Sequence, residues 1–113
     1  MSDIVLAVDL GGTNIRMAAV SADGQILHTA RRSTPRDISP LQLIDLTEIL
    51  SNECREAAVD NSKVKGLAFG SPAPAAKDCD GTLTKLPNLP TLNGMDLASA
   101  LYERFSLPVT LEN

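Results

Sequence analysis

Basic residues are scarce in this chain of 113 residues, which has 10 Lys and Arg against 14 Asp and Glu and a formal net charge of −4. Surfaces that bind nucleic acid or anionic membranes need clustered Lys and Arg. The densest basic cluster, Arg31-Arg32 with Arg36, is interrupted by Ser33-Thr34-Pro35. We therefore expect no nucleic-acid partner and no membrane partner.

Long hydrophobic runs and paired cysteines are also lacking. The N-terminal apolar run, Ile4 to Val8, is too short for a signal-peptide core or a membrane span. Cys54 and Cys79 fit neither a disulfide framework nor a zinc site by their spacing, and we expect the first in a helix core and the second in a loop. Aromatic residues make up 3% of a chain that is 43% hydrophobic. These features predict a cytoplasmic globular domain with an aliphatic core.

The pattern of apolar residues predicts the element order βββαβαβ. Three strands, at residues 4–8, 15–20 and 25–32, are joined by short turns, and the first reads as a strand buried on both faces. Two further strands, at 65–70 and 109–111, each follow a predicted helix, so both should run parallel to the first. The turn before the third strand needs a positive φ at Gly24.

The two helices have start signals and apolar stripes. Ser39 is a candidate N-cap ahead of Pro40, and the second helix is introduced by Asn93 and Asp96. The predicted stripe of the first helix is Leu43, Leu46, Leu50, Cys54 and Ala57, and that of the second is Leu97, Leu101 and Phe105 with Ala98 and Tyr102. A Pro-, Gly- and Asp-rich loop from 71 to about 92 is longer than compact domains usually carry without function.

The turn between the first two strands, Asp9-Leu10-Gly11-Gly12-Thr13-Asn14, has the residues of a phosphate cradle. Glycines let a large anion approach main-chain N–H groups, and Thr and Asn add side-chain donors. A carboxylate at the end of a buried strand can hold hydrated Mg²⁺ facing that anion. A plain hairpin, with Asp9 accepting turn N–H bonds, is an equal alternative on spacing alone. The stretch lacks the residues of a dinucleotide fingerprint and of a P-loop.

The stretch "VDLGGTNIRMAAV" resembles the first phosphate motif of the sugar kinase/actin/Hsp70 superfamily, and specifically of the ROK family of repressors and sugar kinases. "GLAFGSPAPAAKDCDGTLTKLPNLP" is similar to that family's strand, sugar loop and Pro-Asn-Leu signature, and "LPVTLEN" to its Glu-Asn-Asp segment. Among ROK proteins, the loop and its Lys-Asp pair most resemble those of bacterial allose kinases. The resemblance implies a ribonuclease H-like (actin-like ATPase) α/β lobe with a mixed five-stranded sheet in the order 3-2-1-4-5.

The resemblance also implies site residues for transfer of the ATP γ-phosphoryl group to a hexose hydroxyl. Asp9 would organise Mg²⁺, and the phosphates would be held by Gly11, Gly12, Thr13 and Asn14, the last standing where many relatives have lysine. The sugar would be bound by Gly70, Ser71, Asn88, Glu112 and Asn113. For Gly70 and Ser71 a strand-to-loop turn is an equal alternative, and for Asn88 an Asx turn is the alternative. Lys77 and Asp78 are expected in a solvated loop, and His28 on a strand surface.

In the family, the general-base aspartate follows the position of Asn113, so the resemblance leaves no catalytic residue within residues 1–113. The second phosphate motif, the adenosine segment and the zinc motif also have no counterpart here. The chain is therefore expected to be the N-terminal small lobe of a two-lobe sugar kinase, inactive alone, with zinc only in the missing lobe. Relatives are often dimers, and a homo-oligomer is expected.

Other classes of protein share parts of this pattern. A ROK repressor's sugar-sensing domain would follow a helix-turn-helix, for which a strand beginning at Ile4 leaves no room. An actin-like filament ATPase would need neither the Pro-Asn-Leu loop nor the terminal Glu-Asn. A two-metal nuclease needs several converging acids, and Asp9 has no clear partner at 67–70.

Overall fold

The computed structural model of the chain describes residues 3–11, 13–57, 63–70, 90–92 and 96–112. Within these residues five strands and two helices follow one another in the predicted order, and a short 3-10 helix (Pro90–Leu92) lies at the end of the segment predicted as a loop. The elements are β1 (Asp3–Leu10), β2 (Asn14–Ser21), β3 (Ile26–Ser33), α1 (Pro40–Ala57), β4 (Lys63–Gly70), α2 (Leu97–Phe105) and β5 (Val109–Glu112).

The strands form one mixed sheet in the order β3-β2-β1-β4-β5, as the resemblance implied. β1 pairs antiparallel with β2, and β2 with β3. β4 runs parallel to β1, and β5 runs parallel to β4, because each follows a helix that carries the chain back across the sheet. Gly24 has φ +89° in the β2–β3 turn, which confirms the predicted positive φ.

Burial on β1 alternates, and this corrects the expectation of a strand buried on both faces. Ile4, Leu6 and Val8 are buried, whereas Val5 is 38% exposed and Ala7 half-buried. The reason is that α1 and α2 contact each other and pack on the same side of the sheet. Within the described residues the other side has no helix over it, and we refer to it as the open face.

Helix α1 begins as its sequence predicted. Ser39 Oγ accepts from the Gln42 N–H (3.1 Å), and Gln42 Oε1 accepts from the Ser39 N–H (2.8 Å), which together form a capping box ahead of Pro40. Leu43, Leu50 and Cys54 are buried and Leu46 is partly buried. Cys54 is fully buried, which confirms its place in the core, and this burial raises the pKa of its thiol. Ala57 is exposed, contrary to the predicted stripe, because it is the last residue of the helix.

Helix α2 is capped by Asp96, whose carboxylate accepts from the Ser99 N–H (3.1 Å) and hydroxyl (3.0 Å). Leu97 and Leu101 are buried and Phe105 is partly buried, but Tyr102 is exposed because it lies on the solvent side. Asn93 and Cys79 lie outside the described residues.

An ion-pair cluster ties β3 to α1. Arg32 Nη2 lies 2.7 Å from Glu53 Oε1, and His28 Nε2 lies 3.6 Å from Glu53 Oε2. His28 is therefore half-buried against a helix, and the expectation of a plain surface position was incomplete. The hydrogen bond from Arg32, with a smaller contribution from His28, lowers the pKa of the Glu53 carboxyl below its ordinary value of 4.5.

This cluster predicts an acid-side loss of stability. Because the folded-state pKa of Glu53 is lowered, its contribution is present above pH 4.5 and is lost as the pH falls through the folded value. Urea unfolding of the wild type and Glu53→Gln between pH 3 and 7 should show a difference in unfolding free energy that shrinks below about pH 4.5. The effect will be small, since these side chains are partly solvated. A difference that stays constant over this range would contradict the assignment.

Candidate active site

The register of the sheet lines up one residue from every strand at the carboxyl end of β1. Asp9 lies opposite Arg16 on β2 and opposite Gly70 on β4. Arg16 in turn lies opposite Arg31, and Gly70 lies opposite Glu112. The sequence proposed Asp9 for metal binding and Gly70 and Glu112 for sugar binding. These three residues are therefore neighbours on three adjacent parallel strands.

The Asp9 side chain lies on the open face and is exposed, since it alternates with the buried Val8 and Leu10. Gly70 leaves room beside it. A Cβ at Gly70 would lie 3.4 Å from the Val8 carbonyl oxygen and 4.0 Å from Asp9 Oδ1. A side chain larger than alanine would therefore occupy the space next to the carboxylate. Carboxyl ends of parallel strands, where this space opens, are the usual ligand side of an α/β sheet.

The hairpin between β1 and β2 is held by its own hydrogen bonds. The Gly11 N–H donates to the Asn14 carbonyl oxygen (2.8 Å), and the Thr34 N–H donates to the Thr13 carbonyl oxygen (2.8 Å). Asn14 Nδ2 donates to Thr13 Oγ1 (3.2 Å). The Gly11 amide is thus engaged within the turn, so in this conformation Gly11 shapes the hairpin and does not offer its N–H to an anion.

Packing around Gly11 is tight enough to favour glycine there. A Cβ there would lie 3.1 Å from the Asn14 carbonyl oxygen, which is closer than ordinary contacts. Thr13 is exposed, and its hydroxyl hydrogen can be donated to a ligand while the oxygen accepts from Asn14. The polar groups that the described hairpin presents to solvent are therefore the side chains of Thr13 and Asn14.

Beside the hairpin, the open face forms a concavity of about 620 Å³, within the range of small-molecule sites. Its lining includes Ala7, Asp9, Arg16, Ala18, Thr29 and Arg31. Sequence reasoning did not select Arg16 or Arg31. The period-two pattern of a strand could have indicated Arg16, because it stands between the apolar Ile15 and Met17 and should therefore face the opposite side of the sheet.

Several predicted site residues fall outside the described part of the chain. These are Gly12, Ser71, Asn88 and Asn113, together with the loop residues Lys77 and Asp78. Glu112 is placed by its register alone. The side-chain and backbone geometry of the site is therefore described for Asp9, Gly11, Thr13, Asn14 and Gly70.

The described carboxylates suit a metal ion that is bound jointly by the protein and by a phosphate group. Among the described residues no three Asp, Glu, His or Cys side chains come together in a cage for a metal ion. Mg²⁺ is usually held by one or two carboxylates together with substrate phosphates and water, and the exposed Asp9 carboxylate can serve as one such ligand.

None of the described helices is long and apolar enough to cross a membrane.

The order β3-β2-β1-β4-β5, with both helices on one face, defines the class: a ribonuclease H-like lobe of the actin-like ATPase type. The chain belongs to the ROK family, whose sequence profile matches residues 5–113.

Solved structures of ROK proteins share this fold. A ROK hexokinase from Thermus thermophilus is 26% identical, with a TM-score of 0.79 over 97% of this chain. A ROK glucokinase from Streptomyces griseus, determined with glucose and AMPPNP, is 24% identical with a TM-score of 0.78 over 97% of this chain. A ROK transcriptional regulator homologous to the E. coli MLC protein is 18% identical, with a TM-score of 0.80 over 98%.

The chain spans about a third of the length of these proteins: 35% of the hexokinase, 33% of the glucokinase and 28% of the regulator. The family contains both sugar kinases and regulators with this lobe. Similarity in fold alone does not separate these two classes.

Proposed function

We propose that the chain is the N-terminal lobe of an ATP-dependent hexose kinase, which transfers the γ-phosphoryl group to a sugar hydroxyl. The observation that carries the proposal is the alignment of Asp9 with Gly70 and Glu112 beside the glycine hairpin. Asp9, proposed for the nucleotide, therefore lies in register with Gly70 and Glu112, proposed for the sugar.

Different residues of the site would bind the phosphates and the Mg²⁺ ion. Thr13 and Asn14 would donate side-chain hydrogen bonds to phosphate oxygens, and Gly12 would bind phosphate as the family resemblance implies, while Gly11 shapes the hairpin. Asp9 would be a ligand of Mg²⁺, which, when bound, neutralises charge on the phosphates. Phosphoryl transfer depends mainly on such positioning and charge stabilisation. The proposal for Asp9 is supported by its exposure on the open face and by the space that Gly70 leaves beside it.

The sugar would lie on the β4–β5 side of Asp9. Gly70 and Ser71 would let the loop approach the sugar ring, and Asn88, Glu112 and Asn113 would bond its hydroxyls. The general base would be an aspartate beyond Asn113, and most nucleotide contacts would come from a second lobe. Zinc would belong to that second lobe as well.

The proposal predicts that the 113-residue chain binds Mg²⁺–ATP but has negligible kinase activity. A general base contributes about 10²–10⁴-fold to a rate, and the second lobe would contribute more. Calorimetry with Mg²⁺–ATP should detect weak binding, and hexose-dependent ADP release should stay at background. The hexose panel should contain allose, glucose and N-acetylmannosamine. Turnover like that of an ordinary kinase would contradict inactivity, and no binding of ATP at millimolar concentration would contradict the nucleotide site.

The second candidate is the sugar-sensing domain of a ROK regulator, supported by the fold shared with the MLC homologue. The same calorimetry separates the kinase from the sensor, because a sensor would bind a hexose without binding Mg²⁺–ATP.

We further propose a cytoplasmic homo-oligomer, with a dimer as the expected state. Light scattering after size-exclusion chromatography tests this, and a monomer at high concentration would exclude it.

A further inference from the structure

Two large apolar side chains lie exposed on the outer surface of helix α1. Leu41 is 63% exposed and Ile49 is 52% exposed. They lie about two helical turns apart, and the exposed Asp45 stands midway between them, so the three side chains form one row along the helix. Single exposed apolar residues are ordinary, but here two of them share one row. Helix α1 therefore has an apolar strip on its outer side as well as on its inner side, and we call this row the α1 ridge.

A hollow borders the α1 ridge on each side. The first, of about 430 Å³, lies between α1 and α2, and its lining includes Leu41, Ile44 and Ala100. The second, of about 270 Å³, lies between α1 and the segment that follows β3, and its lining includes Pro35 and Leu46. Helices pack on one another by fitting the ridges of one into the grooves of the other. The ridge and its two hollows therefore have the shape that a further helix would fit.

The charged groups beside the ridge are mostly acidic. Arg104 Nη1 lies 2.9 Å from Asp45 Oδ1 and 2.8 Å from Glu48 Oε1, so two carboxylates share one guanidinium group. Asp96 and Glu103 add two more carboxylates to the hollow between the helices. Of the described residues that line the two hollows, Arg104 is the only basic one. The surface therefore carries an excess of negative charge, which a cationic partner would balance.

This charge argues against a second copy of the chain as the occupant. Two copies related by a two-fold axis set the same patch against itself, so Asp45, at the middle of the ridge, would face its own counterpart. Like charges that meet across an interface are unfavourable. A helix with Lys or Arg beside its apolar residues would instead cover Leu41 and Ile49 and form ion pairs with the carboxylates around them.

We propose that the α1 ridge and its two hollows are a docking surface for a basic amphipathic helix of another protein. The apolar face of that helix packs over Leu41 and Ile49, and its Lys or Arg side chains bond to the carboxylates of Asp45 and Glu103. Helix α1 lies on the side of the sheet opposite to the open face that carries Asp9. The docked helix and a ligand at the proposed active site can therefore be bound together. The inference goes beyond the proposed function and does not depend on it.

The probe is a synthetic helical peptide of leucine and lysine with all its leucines on one face. Its binding to the 113-residue chain is measured by fluorescence anisotropy of a labelled peptide. Leu41→Gln and Ile49→Gln should each weaken binding by about tenfold, as expected for the central apolar anchors of an interface. Asp45→Asn should weaken it by about two- to fivefold, the usual range for an exposed ion pair. A peptide with glutamate in place of lysine should bind far more weakly.

Ile26→Gln and Asp3→Asn are the matched controls. Ile26 is 66% exposed and Asp3 is an exposed aspartate, but both lie on strands and neither lines the two hollows. Both substitutions should leave the affinity for the peptide unchanged. Thermal unfolding of Leu41→Gln and Ile49→Gln should match that of the wild type, because both side chains are largely in solvent already. Loss of binding is then separate from loss of folding.

Several results would overturn the inference. Wild-type affinity in both Leu41→Gln and Ile49→Gln would do so, and so would a loss in Ile26→Gln as large as theirs, which would show unspecific adsorption of the peptide. A glutamate peptide that binds as tightly as the lysine peptide would remove the role of charge. Sedimentation equilibrium tests the other occupant: a wild-type dimer that Leu41→Gln converts to a monomer would identify the ridge as an interface between copies of this chain.

Calorimetry with Mg²⁺–ATP keeps this inference apart from the proposed function. Leu41→Gln should bind Mg²⁺–ATP as the wild type does, and Asp9→Asn should bind the lysine peptide as the wild type does. A wild type that binds the peptide through Leu41 and Ile49 but does not bind Mg²⁺–ATP would retain the docking surface and reject the nucleotide site. The reverse result would reject the docking surface alone.

Discussion

Replacing Asp9 with asparagine is expected to abolish the Mg²⁺-dependent part of ATP binding and to lower the affinity by roughly tenfold or more. Mg²⁺ prefers carboxylate oxygens, and the amide has nearly the same shape without the charge. The carboxylate is exposed and has no side-chain hydrogen bond among the described residues, so the fold should be unaffected. Calorimetry with ATP in Mg²⁺ and in EDTA measures the effect: the variant's affinity should be the same in both buffers.

The same strand provides the control for this substitution. Asp3 is the first residue of β1 and is also an exposed aspartate, but it pairs with Lys63 at the end away from the hairpin. Asp3→Asn should keep the full Mg²⁺ dependence. An Asp9→Asn protein that still binds ATP more tightly in Mg²⁺ than in EDTA would remove Asp9 from the metal site, as would equal losses in the two variants.

Replacing Phe69 with alanine should cost about 3–5 kcal/mol of unfolding free energy, the usual loss for a buried phenylalanine. Phe69 is 0% exposed and lies opposite Val8 and Leu111 in the middle of the sheet. The unfolding free energy of folded domains is only about 5–15 kcal/mol, so the variant should lose a large share of its stability and unfold at a clearly lower urea concentration. Urea unfolding followed by circular dichroism measures this change.

The chain has two phenylalanines, and the second is the matched comparison. Phe105, the last residue of α2, is only partly buried at the edge of the core. Phe105→Ala should therefore cost less than half as much as Phe69→Ala. Equal losses for the two variants would mean that the core is not centred on the β1–β4 pair.

Much of the fold could be predicted from local signals. Strand and helix order followed from apolar periodicity, and the start of α1 followed from Ser39 and Pro40, because a capping box is made by residues close in sequence. The two-sided burial of β1 was wrong for a physical reason. A short run such as Ile4–Val8 looks the same whether one or two layers cover the sheet, and the side on which the helices pack is a tertiary property.

The candidate site was predictable in kind but not in arrangement. The glycine hairpin and Asp9 stand out by residue type, whereas the alignment of Asp9 with Gly70 and Glu112 depends on strand registers set by distant segments. Arg31 stands out in the sequence only as part of a basic cluster, and its position opposite Arg16 could not be predicted because the two residues lie on different strands. Their pairing also depends on a register shift between Ala19 and Val20, which sequence periodicity does not reveal.

The alternation of β1 has a consequence for how this lobe can vary. Val8 and Leu10 enter the core while Asp9 between them faces outward, so a one-residue insertion or deletion upstream in the strand would exchange their sides. The carboxylate would then be pushed among aliphatic side chains, and a valine would take its place beside the hairpin. The length of the strand and the motif at its end must therefore change together, and tolerance to insertions should concentrate in exposed turns such as residues 22–24.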